Sequence, residues 1–314
     1  MDRFDRVGRW AAYGSAVVMA PYVSIKVAWV VGAAGGLLPV GDGFGLTEWL
    51  VLNTATIGMA AVGITMSLAL VRPWGLRLPG PLVAFVAWVG TGFLVTMLPY
   101  AVLDSVRGVS GGEPRHREGD GPAMPGWEAA LIQTGFVGMG LGLAVALPAY
   151  LRRRWPDVFA GRTGDGGAAP WGPARWAAGA AVLIGAVWLY WACGGTAGVA
   201  HPGGRNAAWR LLSGLCGLWA LTASAATWAL GRGRPARVPR WIPLALGWLG
   251  TGSLFAWSGW KLPFTLYLLA ARPDDATLPD DLALAAVLHT AAVAAGAVML
   301  PALLRTRRRV PAPR

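Results

Sequence analysis

The chain has 314 residues, of which 55% are hydrophobic and 13% charged, with a net charge of +12. Soluble domains carry roughly 25% charged residues, so a single water-soluble globule is excluded. Basicity of this size would suggest nucleic acid in a soluble protein. Here apolar runs of about twenty residues recur along the whole length, and a bilayer core of ~30 Å needs about that many helical residues to cross it. The composition describes a multi-pass membrane protein whose partner is the lipid bilayer, with no role for nucleic acid.

The N-terminus carries Arg3, Arg6 and Arg9 ahead of an apolar stretch from Trp10 to about Leu38. That stretch is too long for the hydrophobic region of a signal peptide and predicts a retained first span. Seven further apolar segments follow, and the set is 10–36, 48–71, 80–103, 127–151, 175–193, 208–230, 241–270 and 282–304. They are continuous rather than alternating, which selects an all-α protein with eight transmembrane helices over a barrel. Pro21, Pro99 and Pro263 are compatible with such helices, because neighbouring helices satisfy the freed backbone groups.

Alternate connections divide the arginines unequally. Nineteen fall with the two termini and the connections at 72–80, 152–175 and 231–240, and six on the other side. By the positive-inside rule both termini are cytoplasmic and the protein belongs in the cell membrane. Eleven of the fifteen acids lie on the outer side. The basic inner face also suits contact with anionic lipid.

The two halves share ordered motifs. Arg9-Trp10-Ala11-Ala12 returns as Arg175-Trp176-Ala177-Ala178, and Trp88-Val89-Gly90-Thr91-Gly92 as Trp248-Leu249-Gly250-Thr251-Gly252. Arg72 and Pro79 correspond to Arg232 and Pro239, and Leu147-Pro148-Ala149 to Leu300-Pro301-Ala302. This internal repeat predicts two four-helix units, 1–154 and 175–314, joined by a cytoplasmic linker at 155–174. An even number of spans per unit makes the repeats parallel, about an axis along the membrane normal.

Tyr190-Trp191-Ala192-Cys193-Gly194-Gly195-Thr196, with Pro21-Tyr22, Lys26 and Trp29, resembles uncharacterised actinobacterial multi-pass membrane proteins. The usual form of the later motif there is an aromatic-Tyr-Trp-Ala-x-Gly-Gly run, with Cys193 at the variable position. The resemblance implies a membrane protein without an assigned activity and transfers no catalytic residues.

Enzyme signatures are missing: there is no His-Glu-x-x-His, Gly-x-Ser-x-Gly, phosphate loop or Cys-x-x-Cys. His116, His201 and His289 are far apart, so no metal site, cofactor or catalytic group is read from the sequence. Cys193 and Cys216 leave room for one disulfide at most. Gly138 with Gly142, and Gly32 with Gly36, have the four-residue spacing that lets helices approach closely. With eight spans available, packing inside the chain accounts for them better than dimerisation. Trp10, Trp127, Trp155, Trp176 and Trp241 stand where interfacial anchors would. The polar loop from Asp104 to Pro125 has a composition that cannot order itself by burial.

The two lysines, Lys26 and Lys261, each lie inside an apolar span about ten residues from its outer end, roughly 15 Å deep at 1.5 Å per residue. Asn53, Gln133 and His289 enter their spans to similar depths. These five residues are the candidate ligand-binding set. Glu48, Asp104, Glu128 and Asp281 near the outer rim are the candidate counter-charges. Intramembrane ionisable groups usually face a bundle interior, a water cavity or a partner. The alternative for the lysines is snorkelling, or cation–π packing on Tyr22, Trp29 and Trp257.

Three functions follow. The first is a binding or transport-like module with an outward-facing polar pocket for a small anionic solute. The second is a structural or accessory membrane protein without a ligand, and the third a membrane-embedded enzyme acting on a lipid-type substrate.

Overall fold

The computed structural model describes residues 3–40, 45–111, 126–156, 160–166, 172–271 and 281–305. Among these it is helical throughout, apart from short turns and one isolated β-bridge. The helices are α1 (Arg3–Ala34), α2 (Leu46–Ala69), a one-turn α3 (Pro73–Arg77), α4 (Gly80–Gly111), α5 (Gly126–Arg154), α6 (Ala174–Ala192), α7 (Ala207–Arg232), α8 (Trp241–Ala271) and α9 (Leu282–Arg305). Each apolar segment of the sequence has become one long helix.

Local chemistry sets several helix ends. Gly36 adopts φ 68°, a left-handed conformation that glycine enters without penalty, and the amides of Leu37 and Leu38 turn back onto the carbonyl of Gly32. The Gly32–Gly36 spacing is therefore a helix terminus and not a packing face. Asn206 accepts a hydrogen bond from the amide of Trp209 at the start of α7, and Gly233 ends that helix at φ 62°. Pro21, Pro99, Pro148, Pro263 and Pro301 all lie within helices.

Seven helices, α1, α2, α4, α5, α6, α7 and α9, are long and apolar enough to cross a membrane. The protein is thus a multi-pass helical membrane protein. Their outward faces carry exposed Val17, Val31, Leu141, Leu183 and Val287, a lipid-compatible surface that a soluble monomer avoids. Helix α8 is not among the seven, although its 31 residues contain a single charged side chain, Lys261. It carries four tryptophans and four glycines, and its Gly250, Thr251, Gly252 and Ser253 are buried. A helix covered by protein on most sides can be less apolar than one bathed in lipid.

The helices form two compact units. The first comprises residues 1–87 and 101–154, and the second residues 88–100 and 155–314. In the first, α1 packs on α2 and α5. A Cβ on Gly142 would lie 2.7 Å from the Ala11 carbonyl, and one on Gly138 would lie 2.9 Å from the Val18 side chain. The small-residue spacing of α5 thus serves packing within the chain. The C-terminal end of α5 is tied by arginines: Arg153 donates to the Leu70 carbonyl at 2.9 Å, and Arg154 to those of Leu76 and Leu78 at 3.1 and 2.8 Å.

In the second unit α6 packs on α7 and α9, and α8 on α7 and α9. The core holds Trp188, Trp191, Leu254, Trp257, Ala292 and Met299. Residues 88–100 of α4 join it through a reciprocal contact with α8. The Trp88 indole donates to Thr251 Oγ1 and the Trp248 indole to Thr91 Oγ1, each at 3.1 Å. Gly92 and Gly252 make the approach feasible, since a Cβ on Gly92 would fall 2.1 Å from the Gly252 carbonyl carbon. Outside the helices, residues 161–164 of the linker clasp the α7–α8 connection. Thr163 N donates to the Val238 carbonyl at 2.9 Å and Arg240 N to that of Gly161 at 3.1 Å.

Candidate functional site

The five intramembrane polar residues fall into both units. In the first, Lys26 of α1 meets Asn53 of α2, its ammonium donating to Asn53 Oδ1 at 2.8 Å. Asn53 is only 1% exposed. Its Nδ2 donates to the Trp49 carbonyl at 2.8 Å, which leaves the carboxamide oxygen aimed at the lysine. The ammonium also stands 4.2 Å from the Trp29 ring centroid and 5.9 Å from that of Tyr22. Trp29 stacks on Trp49 with centroids 5.8 Å apart, and Tyr22 meets Phe136 edge-on at 4.9 Å. Lys26 is thus held by an amide oxygen and aromatic faces within its own unit. Gln133 is half-buried on α5.

In the second unit Lys261 of α8 and His289 of α9 line one cavity of about 70 Å³. Trp188, Trp191, Trp209 and Trp257 form its apolar walls, and Ser213 and Cys216 of α7 add small polar groups. The Lys261 ammonium lies 5.4 Å from the Trp257 ring centroid. His289 Nδ1 is 3.2 Å from Ser258 Oγ, and its ring is 6.2 Å from that of Trp188. The Trp191 indole donates to the Ala197 carbonyl at 2.8 Å, which fixes that wall against the α6–α7 connection. Among the described residues no carboxylate lines the cavity.

Two of the four counter-charge candidates have other work. Glu48 Oε2 accepts from the amide of Gly45 at 3.1 Å at the start of α2, and Asp281 Oδ1 from that of Leu284 at 2.9 Å at the start of α9. Glu48 lies in the first turn of α2 and Asp281 just before the first residue of α9, both positions where a helix favours a negative charge. Glu128 lies in the first turn of α5. The side chain of Asp104 lies outside the described residues, as do His116, Asp274, Asp275, most of the 104–125 loop and the basic tail beyond Arg305.

Cys193 is exposed and Cys216 buried, and both are free thiols. Among the described residues no group of three or more His, Cys, Asp or Glu side chains could hold a metal ion. Trp257 is legible beside Lys261 in the sequence, but Trp188, Trp209 and Ser213 are not singled out there as its neighbours, because the periodicity of one apolar helix does not say which of its faces meets which partner. Comparison of the chain with protein families, curated proteins and solved structures gives no match.

Proposed function

We propose that this chain is a solute-binding or transport-like module of the cell membrane, and that a small anionic solute binds in the tryptophan-walled cavity of the second unit. The observation that carries this reading is the Lys261 ammonium on a cavity that no carboxylate lines among the described residues. A half-buried cation in an apolar setting is costly, and an anion beside it lowers that cost. His289 and Ser213 supply hydrogen-bonding groups, while the indoles would cover an apolar body. Neither an acid/base pair nor a metal cluster among the described residues favours the enzymatic alternative.

The same proposal takes α8 as an eighth span, both termini as cytoplasmic and the chain as two four-helix repeats of equal topology. Buried positions support the repeat. Aligning Arg9 with Arg175 brings buried Ala12, Met19 and Tyr22 onto buried Ala178, Gly185 and Trp188. Aligning Arg72 with Arg232 brings Trp49 onto Trp209, and buried Ala60 and Ser67 onto buried Ala220 and Thr227. The reciprocal Trp–Thr bonds join the two copies of the shared Trp-x-Gly-Thr-Gly motif. The resemblance to actinobacterial multi-pass proteins agrees with this architecture and adds no activity.

Binding is tested with purified protein in lipid nanodiscs and sodium propionate against sodium chloride at equal ionic strength. Propionate is expected to raise the thermal midpoint, since a ligand at 100 times its Kd stabilises the folded state by about 2.7 kcal/mol. Lys261→Met is expected to abolish the rise and Lys26→Met to retain it; an equal rise in Lys261→Met would reject the site. Orientation is tested by cysteines introduced at Gly112 and Gly164 of a variant lacking both native thiols. An impermeant maleimide applied to whole cells is expected to label the first and not the second, and the opposite pattern would invert the topology.

A further inference from the structure

The alignments that support the repeat also superimpose the two polar clusters. Tyr22 corresponds to Trp188, Trp49 to Trp209, and Asn53 to Ser213. Aligning Leu147-Pro148-Ala149 with Leu300-Pro301-Ala302 places Phe136 on His289. The correspondence is physical as well as numerical: Tyr22 meets Phe136 at 4.9 Å, and their counterparts Trp188 and His289 meet at 6.2 Å. Trp49 takes a second tryptophan at 5.8 Å, as Trp209 takes Trp191 at 6.1 Å. Each cluster also holds one lysine against a tryptophan, although Lys26 comes from α1 and Lys261 from α8.

The clusters differ at one decisive position. In the first unit Asn53 extends a carboxamide oxygen to the ammonium, 2.8 Å away. In the second the corresponding residue is Ser213, shorter by one carbonyl-bearing group, and beside it lies the cavity of about 70 Å³. Among the described residues the Lys261 ammonium makes no hydrogen bond or ion pair.

We propose that Asn53 is the first unit's built-in stand-in for the solute: in the second unit, a carboxylate oxygen of a small molecule takes the place on Lys261 that the Asn53 carboxamide oxygen takes on Lys26. This rests on the binding reading above and narrows it. At roughly 10–15 Å³ of such space per water-sized group, the cavity admits about five to seven non-hydrogen atoms. The ligand class is a short-chain carboxylate whose carbon tail lies among the indoles. Only the second unit takes it, because the first is already occupied by its own asparagine.

The experiment converts the second unit into the first. Ser213→Asn restores the acceptor, while Ser213→Leu fills nearly the same volume without one. Full-length protein in nanodiscs is assayed by thermal midpoint without added solute and by equilibrium dialysis with radiolabelled propionate, with propionamide as the neutral competitor. The wild type is expected to bind one propionate per chain, with propionamide competing at least about tenfold more weakly. Ser213→Asn should lose propionate binding by at least about tenfold and melt higher than Ser213→Leu, since only the asparagine satisfies the ammonium. Equal melting of the two variants would mean that space alone matters and would overturn the proposal. Propionamide competing as well as propionate would overturn the carboxylate assignment.

If the wild type binds no propionate while Ser213→Asn still melts above Ser213→Leu, the binding reading fails and the equivalence of the two clusters stands. Should Ser213→Asn not fold, Asn53→Ser runs the test in reverse. It is expected to lower the thermal midpoint and to raise the stoichiometry from one propionate to two, and an unchanged stoichiometry in a folded Asn53→Ser protein would overturn the proposal.

Discussion

The first unit satisfies its intramembrane lysine with its own asparagine, whereas the second keeps its lysine at the edge of a cavity. Similar aromatic neighbours surround both. The first lysine donates to the Asn53 carboxamide oxygen, and the second shares its cavity with Ser213. The ends of the units where α5 stops and where α7 turns into α8 contrast in a related way. The first is closed by long arginine side chains reaching backbone carbonyls, the second by backbone hydrogen bonds between residues 161–164 and 236–240.

The largest expected effect tests whether α4 depends on α8 for its place in the second unit. Gly92→Ala would drive a methyl group into the Gly252 backbone, which has no flexible side chain to yield. Overpacking usually costs 1–3 kcal/mol, and a collision with backbone should reach the top of that range, about 3 kcal/mol. Gly90→Ala, two residues earlier on the same helix, meets nothing within 4 Å and should change little. Unfolding of the two variants in graded detergent denaturant checks this, and equal stabilities would show that the α4–α8 approach is looser than the reciprocal Trp–Thr bonds require.

A smaller effect should separate the two lysines. Asn53→Leu keeps the branched shape and removes the carboxamide oxygen that accepts from the Lys26 ammonium. A lost bond to a charged group costs about 1–3 kcal/mol, and for a half-buried donor the lower part of that range is expected. Lys26→Met in the same background should recover most of the loss, because the donor goes too. A double-mutant cycle measures this coupling. Additive losses would mean that Lys26 and Asn53 are stabilised independently and would erase the contrast with Lys261.

The sequence exposed the helices because crossing a bilayer demands long apolar runs, and the eight segments it marks coincide with eight long helices. It exposed the lysines for the converse reason, that a cation in such a run is costly and therefore conspicuous. Partners were hidden. Glu48 and Asp281 are as acidic as any counter-charge, yet their place at positions that cap α2 and α9 commits them to backbone amides. Ser213 has no distinguishing feature in its own helix, and only the fold brings it to the cavity that Lys261 and His289 line. The split of α4 between units was equally hidden, since Trp88 and Thr91 need Thr251 and Trp248 to show what they are for.

The smallest expected effect concerns the C-terminal end of α5 in the first unit, where Arg153 has two partners of different kind. Its Nη2 donates to the Leu70 carbonyl at 2.9 Å, while its Nε lies 3.8 Å from Asp5 Oδ1 in a solvent-accessible ion pair. Exposed ion pairs contribute little because water and salt screen them and both side chains lose freedom on pairing. Asp5→Asn should therefore shift stability by less than about 0.5 kcal/mol, and raising the salt should not enlarge the shift. Arg153→Met should cost more, since it also removes the donor to the carbonyl of Leu70 just past the end of α2. Equal losses for the two variants, both vanishing at high salt, would show that charge pairing and not carbonyl capture closes this end.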